Sequence, residues 1–370
     1  MPAPIDLGLI HVFGVRIPYS LILFVSACVL TLVVTPVVRA LAVRLGALDH
    51  PGGRRIHAQP VPRLGGLAMA AAVLGTAWLA YALPGPLVRL DVWPLLGLTL
   101  ASIPILALGV IDDLRGVSAP IKLAVQAVAG VALVSFGFGI PALTNPFGGQ
   151  IASGPLNVPL TIVWVVLVTN AINLIDGLDG LATGAVLIAS MALWWVGRSH
   201  ADLYVMFLTA VLAGSTLGFL RWNFPPARIF MGDTGSQFLG LVLAATSLIE
   251  NRKGTVTITL LFPLVAMGVP ILDSAITFVR RLKNRQPVFR GDAEHIHHRL
   301  LRAGLSPRRA LFVLWYLCAF LGIMAVVVEA LPRNYGWFVL LLLAMGLYLA
   351  FGVLEFVDRR ASPRDGNGAE

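Results

Sequence analysis

"VPLTIVWVVLVTNAINLIDGLDGLATG", residues 158–184, starts as an apolar run and ends with two Asn and two Asp. A helix needs about 20 apolar residues to cross a bilayer, and 158–175 comes close to that length. Asn170, Asn173, Asp176 and Asp179 recur every third residue, which puts the first three on one slowly drifting helical face. Gly177 and Gly180 then open the backbone. An Asp-Gly turn between two spans would explain one Asp and one Gly. It would not explain two Asn inside the preceding apolar helix. Such side chains cost free energy at a membrane boundary unless they face water, a metal or a polar partner. The stretch predicts a membrane helix that delivers polar groups to a site.

Composition extends this reading to the whole chain. Hydrophobic residues make up 58% and charged residues 12%, and the mean hydropathy is +0.86. That leaves too little charged surface for a water-soluble protein, so lipid must solvate much of it. Apolar runs fall near 18–40, 64–83, 94–111, 119–138, 158–175, 180–197, 203–220, 235–250, 256–279, 310–330 and 337–357. The expected fold is an all-α polytopic integral membrane protein with about eleven transmembrane helices. Residues 1–357 are expected to form one integral membrane domain, with a short polar tail at 358–370. The N-terminal twenty residues lack a basic n-region and a small-residue cleavage site, so the first run is kept as a retained span. Cys28 and Cys318 lie inside apolar runs and read as small apolar side chains.

The basic residues set the orientation. Of the 27 Lys and Arg, twenty-one fall in alternate loops and the tail on one side, and six on the other. Positive-inside bias places the richer side in the cytoplasm, with the N-terminus outside and the C-terminus inside. The net charge of +9 is then explained by topology and attraction to anionic lipid heads or phosphates, without nucleic acid.

Five unusual polar segments land on that cytoplasmic side. They are "DHPGGRRIHAQPVPRLGG" (49–66), "GVIDDLRG" (109–116), "NAINLIDGLDG" (170–180), "RWNFPPARIFMGDTGS" (221–236) and "RGDAEHIHHRLLRAG" (290–304). The longest outer loop, "IPALTNPFGGQIASGPLNVP" (140–159), holds no acid or base and reads as an irregular or hairpin cap. One-sidedness predicts a single active site at the cytoplasmic face. Asp112 and Asp113 close a span, where carboxylates oppose the helix dipole and call for a cation. Asp233 precedes a span, where capping and anion or metal binding are compatible. Oxygen-rich candidates without thiolates favour Mg²⁺ or Mn²⁺ over zinc. His295, His297 and His298 sit among Arg290, Arg299 and Arg302, a setting suited to phosphate oxygens; His57, beside Arg54 and Arg55, is a weaker case. The chemistry this suggests is phosphoryl transfer to or from a lipid. A secondary transporter would instead place polar residues near mid-span, with internal symmetry. The CDP-alcohol phosphotransferase pattern is not met, because "DGLDGLATG" departs from it after the second Gly.

These five ordered motifs resemble the polyprenyl-phosphate N-acetylhexosamine-1-phosphate transferases over nearly the whole chain. The opening "DHPGGRRIH…PRLGG" is similar to the GlcNAc-1-phosphate branch, with Arg55 where Lys is common. "HIHHRLL" departs from the histidine triplet and following acid of the lipid I branch. The resemblance implies a bacterial cytoplasmic-membrane enzyme that transfers GlcNAc-1-phosphate from UDP-GlcNAc to undecaprenyl phosphate and releases UMP. Another UDP-N-acetylhexosamine donor, or UDP-MurNAc-pentapeptide, stays open. It also implies Mg²⁺ held by Asp233 with Asn173 and Asp176, and nucleotide contacts from Asp179, Asn223 and Phe230. Arg55, His57 and Arg299 would bind phosphate, alongside His295, His297 and His298. Asp112 and Asp113 would position metal and acceptor, or act as base or nucleophile. Dimers are common in the family.

Overall fold

The computed structural model describes residues 9–12, 15–50, 59–83, 91–144, 150–249 and 296–331, with single positions between 338 and 348. The helices are α1 (Tyr19–Arg44), α2 (Gly65–Ala82), α3 (Trp93–Arg115), α4 (Ala119–Ser135), α5 (Asn157–Ile175), α6 (Leu181–Ser199), α7 (Leu203–Asn223), α8 (Gly232–Ile249), α9 (Ile296–Arg302) and α10 (Pro307–Ala330). Among the described residues the only sheets are three two-stranded antiparallel ribbons. They are β1 (Leu9–Val12) with β2 (Val15–Pro18), β3 (Leu48–Asp49) with β4 (Val61–Pro62), and β5 (Ala142–Thr144) with β6 (Gln150–Ala152). The last ribbon lies in the stretch 140–159, where an irregular or hairpin cap is expected, and its antiparallel pairing is that of a hairpin.

Seven of the described helices are long and apolar enough to cross a membrane. The protein is an all-α polytopic membrane protein. The run at 256–279 lies outside the described residues, and 337–357 is described only at single helical positions. Two predicted spans differ in character. At 17 residues, α4 reaches only about 26 Å at 1.5 Å per residue, and Gly137 at φ +82° turns the chain soon after it. In α8, every residue from Thr234 to Ile249 is buried. It packs against α2, α3, α5, α6 and α7, so its surface meets protein rather than lipid. Its Ser, Thr, Gln and Gly content follows, because membrane helix interfaces favour small residues and hydrogen-bonding side chains.

Close backbone approach sets the packing. Gly214 and Gly218 stand one turn apart on α7, where a Cβ would lie 2.0 Å from the Phe24 carbonyl oxygen and 2.4 Å from that of Cys28 on α1. This small-xxx-small face lets α1 and α7 touch along their backbones. The opposite side of α1 presents Leu21, Val25, Val29, Val33, Val37 and Leu41, all exposed, as a lipid-facing stripe.

At the site end, a Cβ on Gly66 would lie 2.1 Å from the Gly235 backbone nitrogen, whereas one on Gly75 meets only a Leu30 methyl at 3.7 Å. Gly66→Ala is therefore expected to destabilise the protein by about 1–3 kcal/mol or more, as overpacking does. Gly75→Ala is expected to be neutral or stabilising, because Ala favours helix. Thermal unfolding in detergent checks the pair, and equal shifts would refute the close α2–α8 crossing.

Candidate active site

The C-terminal ends of α1, α3, α5 and α7 meet the N-terminal ends of α2, α4, α6, α8 and α10. A cavity of about 580 Å³ opens there. Its wall brings together residues far apart in sequence: Asp113, Asn173, Asp176, Asp179, Asn223, Phe230 and Asp233 from the predicted set, with Asp49, Arg63 and Arg308 in addition.

The first link is backbone. The Phe230 N–H donates to the Pro62 carbonyl at 2.8 Å, and the Gly65 and Gly66 N–H groups donate to the carbonyls of Phe230 (3.0 Å) and Met231 (2.9 Å). These bonds satisfy the first free donors of α2 and hold buried Leu64 at φ +76°, a conformation an L-residue seldom adopts unaided. They also zip "PRLGG" to "RIFMG". Asp49 and Arg63 form an ion pair across the β3–β4 ribbon.

The two adjacent carboxylates of α3 have different partners. Asp113 accepts from the Asp233 N–H (2.9 Å), the Thr234 N–H (3.1 Å) and the Thr234 hydroxyl (2.7 Å). It thus caps α8 from another helix, using the positive end of that helix's dipole. Gly232, at φ +69°, leaves the room this needs, since a Cβ there would collide with the Asp113 carboxylate at 2.3 Å. Asp112 accepts from the Val117 N–H (2.6 Å) and from Lys122 Nζ (2.8 Å). Lys122 also bonds Asp233, so the cation that a helix C-terminus requires comes from α4. In the sequence Lys122 counted only toward topology.

A line of amides continues inward from Asp233. Gln237 Nε2 donates to Asp233 Oδ2 at 3.1 Å, Gln126 Nε2 to Gln237 Oε1 at 3.4 Å, and Asn170 Nδ2 to Gln126 Oε1 at 2.6 Å. An ionised carboxylate only accepts, so it orients every amide behind it the same way. Both glutamines are fully buried. Replacing Gln126 with Leu leaves the Gln237 oxygen without its donor. A loss of about 1–3 kcal/mol is expected, the penalty for an unsatisfied buried polar group. Unfolding of Q126L that matches the parent within error would show the line to be incidental.

The remaining predicted residues divide by occupation. Asn223 is buried and latches the link between α7 and α8 to α6. It accepts from the Gly180 N–H (3.1 Å) and the Thr183 hydroxyl (2.8 Å), and donates to the Ile229 carbonyl (3.1 Å). Asp179 accepts from the Ala227 N–H at 2.9 Å. Asn173 Nδ2 donates to the Ser236 hydroxyl at 2.8 Å. Asp176 ends α5, and what surface it retains faces the cavity. Burial, reinforced by the carboxylates of Asp233, Asp113 and Asp179, holds its carboxyl well above the usual range. Arg299, on α9, is described but does not line the cavity. Arg55, His57 and His295 lie outside the described residues, as do the side chains of His297 and His298 at the start of α9.

The oxygen set suits a hard cation. Negative charge accumulates around Asp176 from three neighbouring carboxylates. Among the described residues no three acids, histidines or cysteines form a closed metal cage. Mg²⁺ asks for no such cage, since it typically takes one or two carboxylates plus substrate phosphates and keeps several waters. Arg63 and Arg308 supply cationic donors on the same wall, and Arg308 Nε is anchored to the Pro225 carbonyl at 3.1 Å. "PRLGG" and "SPRR" marked both residues in the sequence only as positive charge.

The profile of glycosyl transferase family 4 matches residues 95–251, which run from α3 through α8. The chain is 34% identical over 345 residues to the probable undecaprenyl-phosphate N-acetylglucosaminyl 1-phosphate transferase of Bacillus subtilis (strain 168), covering 92% of this chain and 93% of the relative. It is 38% identical over 362 residues to the decaprenyl-phosphate N-acetylglucosaminephosphotransferase of Mycobacterium leprae (strain TN), covering 89% and 90%. Against the undecaprenyl-phosphate alpha-N-acetylglucosaminyl 1-phosphate transferase of Escherichia coli (strain K12) the identity is 27% over 339 residues, covering 87% and 89%.

Proposed function

The chain belongs to glycosyl transferase family 4, and on that premise we propose that it transfers GlcNAc-1-phosphate from UDP-GlcNAc to undecaprenyl phosphate, releasing UMP. The observation that carries this reading is the shared wall of one cavity. At about 580 Å³, the cavity falls within the roughly 300–1,000 Å³ of small-molecule sites. On one wall it holds acids suited to a cation, two arginines suited to phosphates and the ring of Phe230. The enzyme is read as a single domain over 1–357 with about eleven spans in the bacterial cytoplasmic membrane. The N-terminus lies outside and the cavity faces the cytosol, a placement supported by the one-sided basic charge.

The chain's residues position and neutralise. Arg63 and Arg308 take charge from the donor's phosphate oxygens, while Phe230 offers an aromatic face to the base. Asn173, Asp176 and Asp233 would hold Mg²⁺ or Mn²⁺. When bound, the ion neutralises the diphosphate and the leaving UMP. The acceptor phosphate has a second pKa of about 6 and is mostly dianionic at neutral pH. It attacks the sugar-linked phosphorus directly: one P–O bond forms, the bond to the UMP oxygen breaks, and UMP departs. Both oxygens of Asp113 are engaged in capping α8, and those of Asp112 bond Val117 and Lys122. That engagement supports direct displacement over an aspartyl intermediate.

The test is UMP release from UDP-GlcNAc by purified protein, expected to require both polyprenyl phosphate and Mg²⁺. Movement of substrate across the membrane without UMP release would overturn the reading. Isolation of a sugar-phosphate-modified Asp in the absence of acceptor would overturn the one-step route alone.

A further inference from the structure

We propose that Arg39, Arg221 and Arg228 form a binding site for the headgroup of an anionic phospholipid, separate from the cavity. Arg221 and Arg228 place their guanidinium carbons 5.8 and 6.0 Å from the ring centroid of Trp222, within cation–π range. Arg39, from the facing helix α1, donates from Nε to the Arg228 carbonyl at 3.1 Å. Two exposed arginines thus flank one indole, and a third exposed arginine is tied to the backbone of one of them. None of the three forms an ion pair with an acid among the described residues. Like charges held together repel, and an anion between them relieves that repulsion. None of them lines the cavity.

Position identifies the anion as a lipid's. Trp222 and Arg221 stand at the end of the membrane-spanning helix α7, and tryptophan there marks the depth of the headgroups. Arg39 lies near the C-terminal end of α1, itself long and apolar enough to span, so both helices bring the cluster to the same end of the bundle. Arginine forks match phosphate oxygens. Arg228 directly follows the segment Pro225–Ala227, which lines the cavity. The proposal rests on the membrane placement of the chain and not on the transferase reading.

The full-length protein, delipidated in detergent, is titrated with phosphatidylglycerol, phosphatidylcholine or soluble glycerol phosphate, and bound lipid is counted by native mass spectrometry. Preferential, saturable binding of phosphatidylglycerol is expected. A basic residue near an anionic surface is worth about fivefold in affinity, so R39Q/R228Q is expected to lose roughly 25-fold. Phosphatidylcholine binding and UMP release in neutral lipid should stay unchanged. If that variant fails to fold, R221Q carries the test with a loss of about fivefold, because the Arg221 side chain makes no hydrogen bond among the described residues. Equal retention of phosphatidylglycerol by parent and variant would overturn the proposal. So would equal affinity of the parent for phosphatidylcholine, or glycerol phosphate binding as tightly as the lipid. Failure of UMP release with intact lipid selectivity would count against the transferase reading only.

Discussion

Asp233→Asn is expected to lower kcat/KM for UMP release by about 10²–10³-fold, the range for removing one preorganised electrostatic partner of a transition state. Asp233 is where the site's electrostatics meet. It bonds Lys122 and Gln237, and its charge acts on Asp176. The amide is nearly isosteric and keeps the backbone N–H that Asp113 accepts, so α8 stays capped and the protein should fold. What is lost is one of the proposed cation's two carboxylates. Steady-state UMP release at saturating Mg²⁺, with thermal unfolding in parallel, makes the measurement. Activity within tenfold of the parent would remove Asp233 from the machinery.

Lys122→Met should be the most damaging change outside the cavity wall. Lys122 neutralises Asp112 and Asp233 together, and the three side chains are mostly buried. Removing one partner of a buried ion pair costs about 3–5 kcal/mol, because the other charge is left uncompensated. Some residual exposure of the lysine brings the expectation to about 2–3 kcal/mol. Adding Asp112→Asn should restore part of the loss, since one of the two stranded charges disappears. Thermal unfolding of parent, single variants and double variant closes the cycle. Strict additivity, with no recovery, would show that the lysine and Asp112 do not interact.

These expectations show how far the reading of residues reached. Asn170 and Asn173 stood out because amides inside an apolar helix need a reason, and each proves to face protein across the bundle. Gln126, the partner of Asn170 on α4, and Gln237, next in line on α8, did not stand out. One polar residue within a predicted span carries no sign of whether it meets another. The α8 run looked like any other span, yet it is the buried centre of the bundle. Hydropathy alone does not separate a helix facing lipid from one facing helices.

Membrane class and the gathering of Asp113, Asn173, Asp176, Asp179, Asn223, Phe230 and Asp233 at one site were legible in the sequence alone. Hydropathy and charge act over lengths shorter than one helix, so they survive in a linear reading. The division of labour among the acids was decided only in three dimensions. Asp113 finds its donors 120 and 121 residues away, and Lys122 reaches Asp233 across 111. A carboxylate's role depends on which helix end, cation or cavity it faces. That is set where glycine-mediated crossings bring α2, α3 and α8 together.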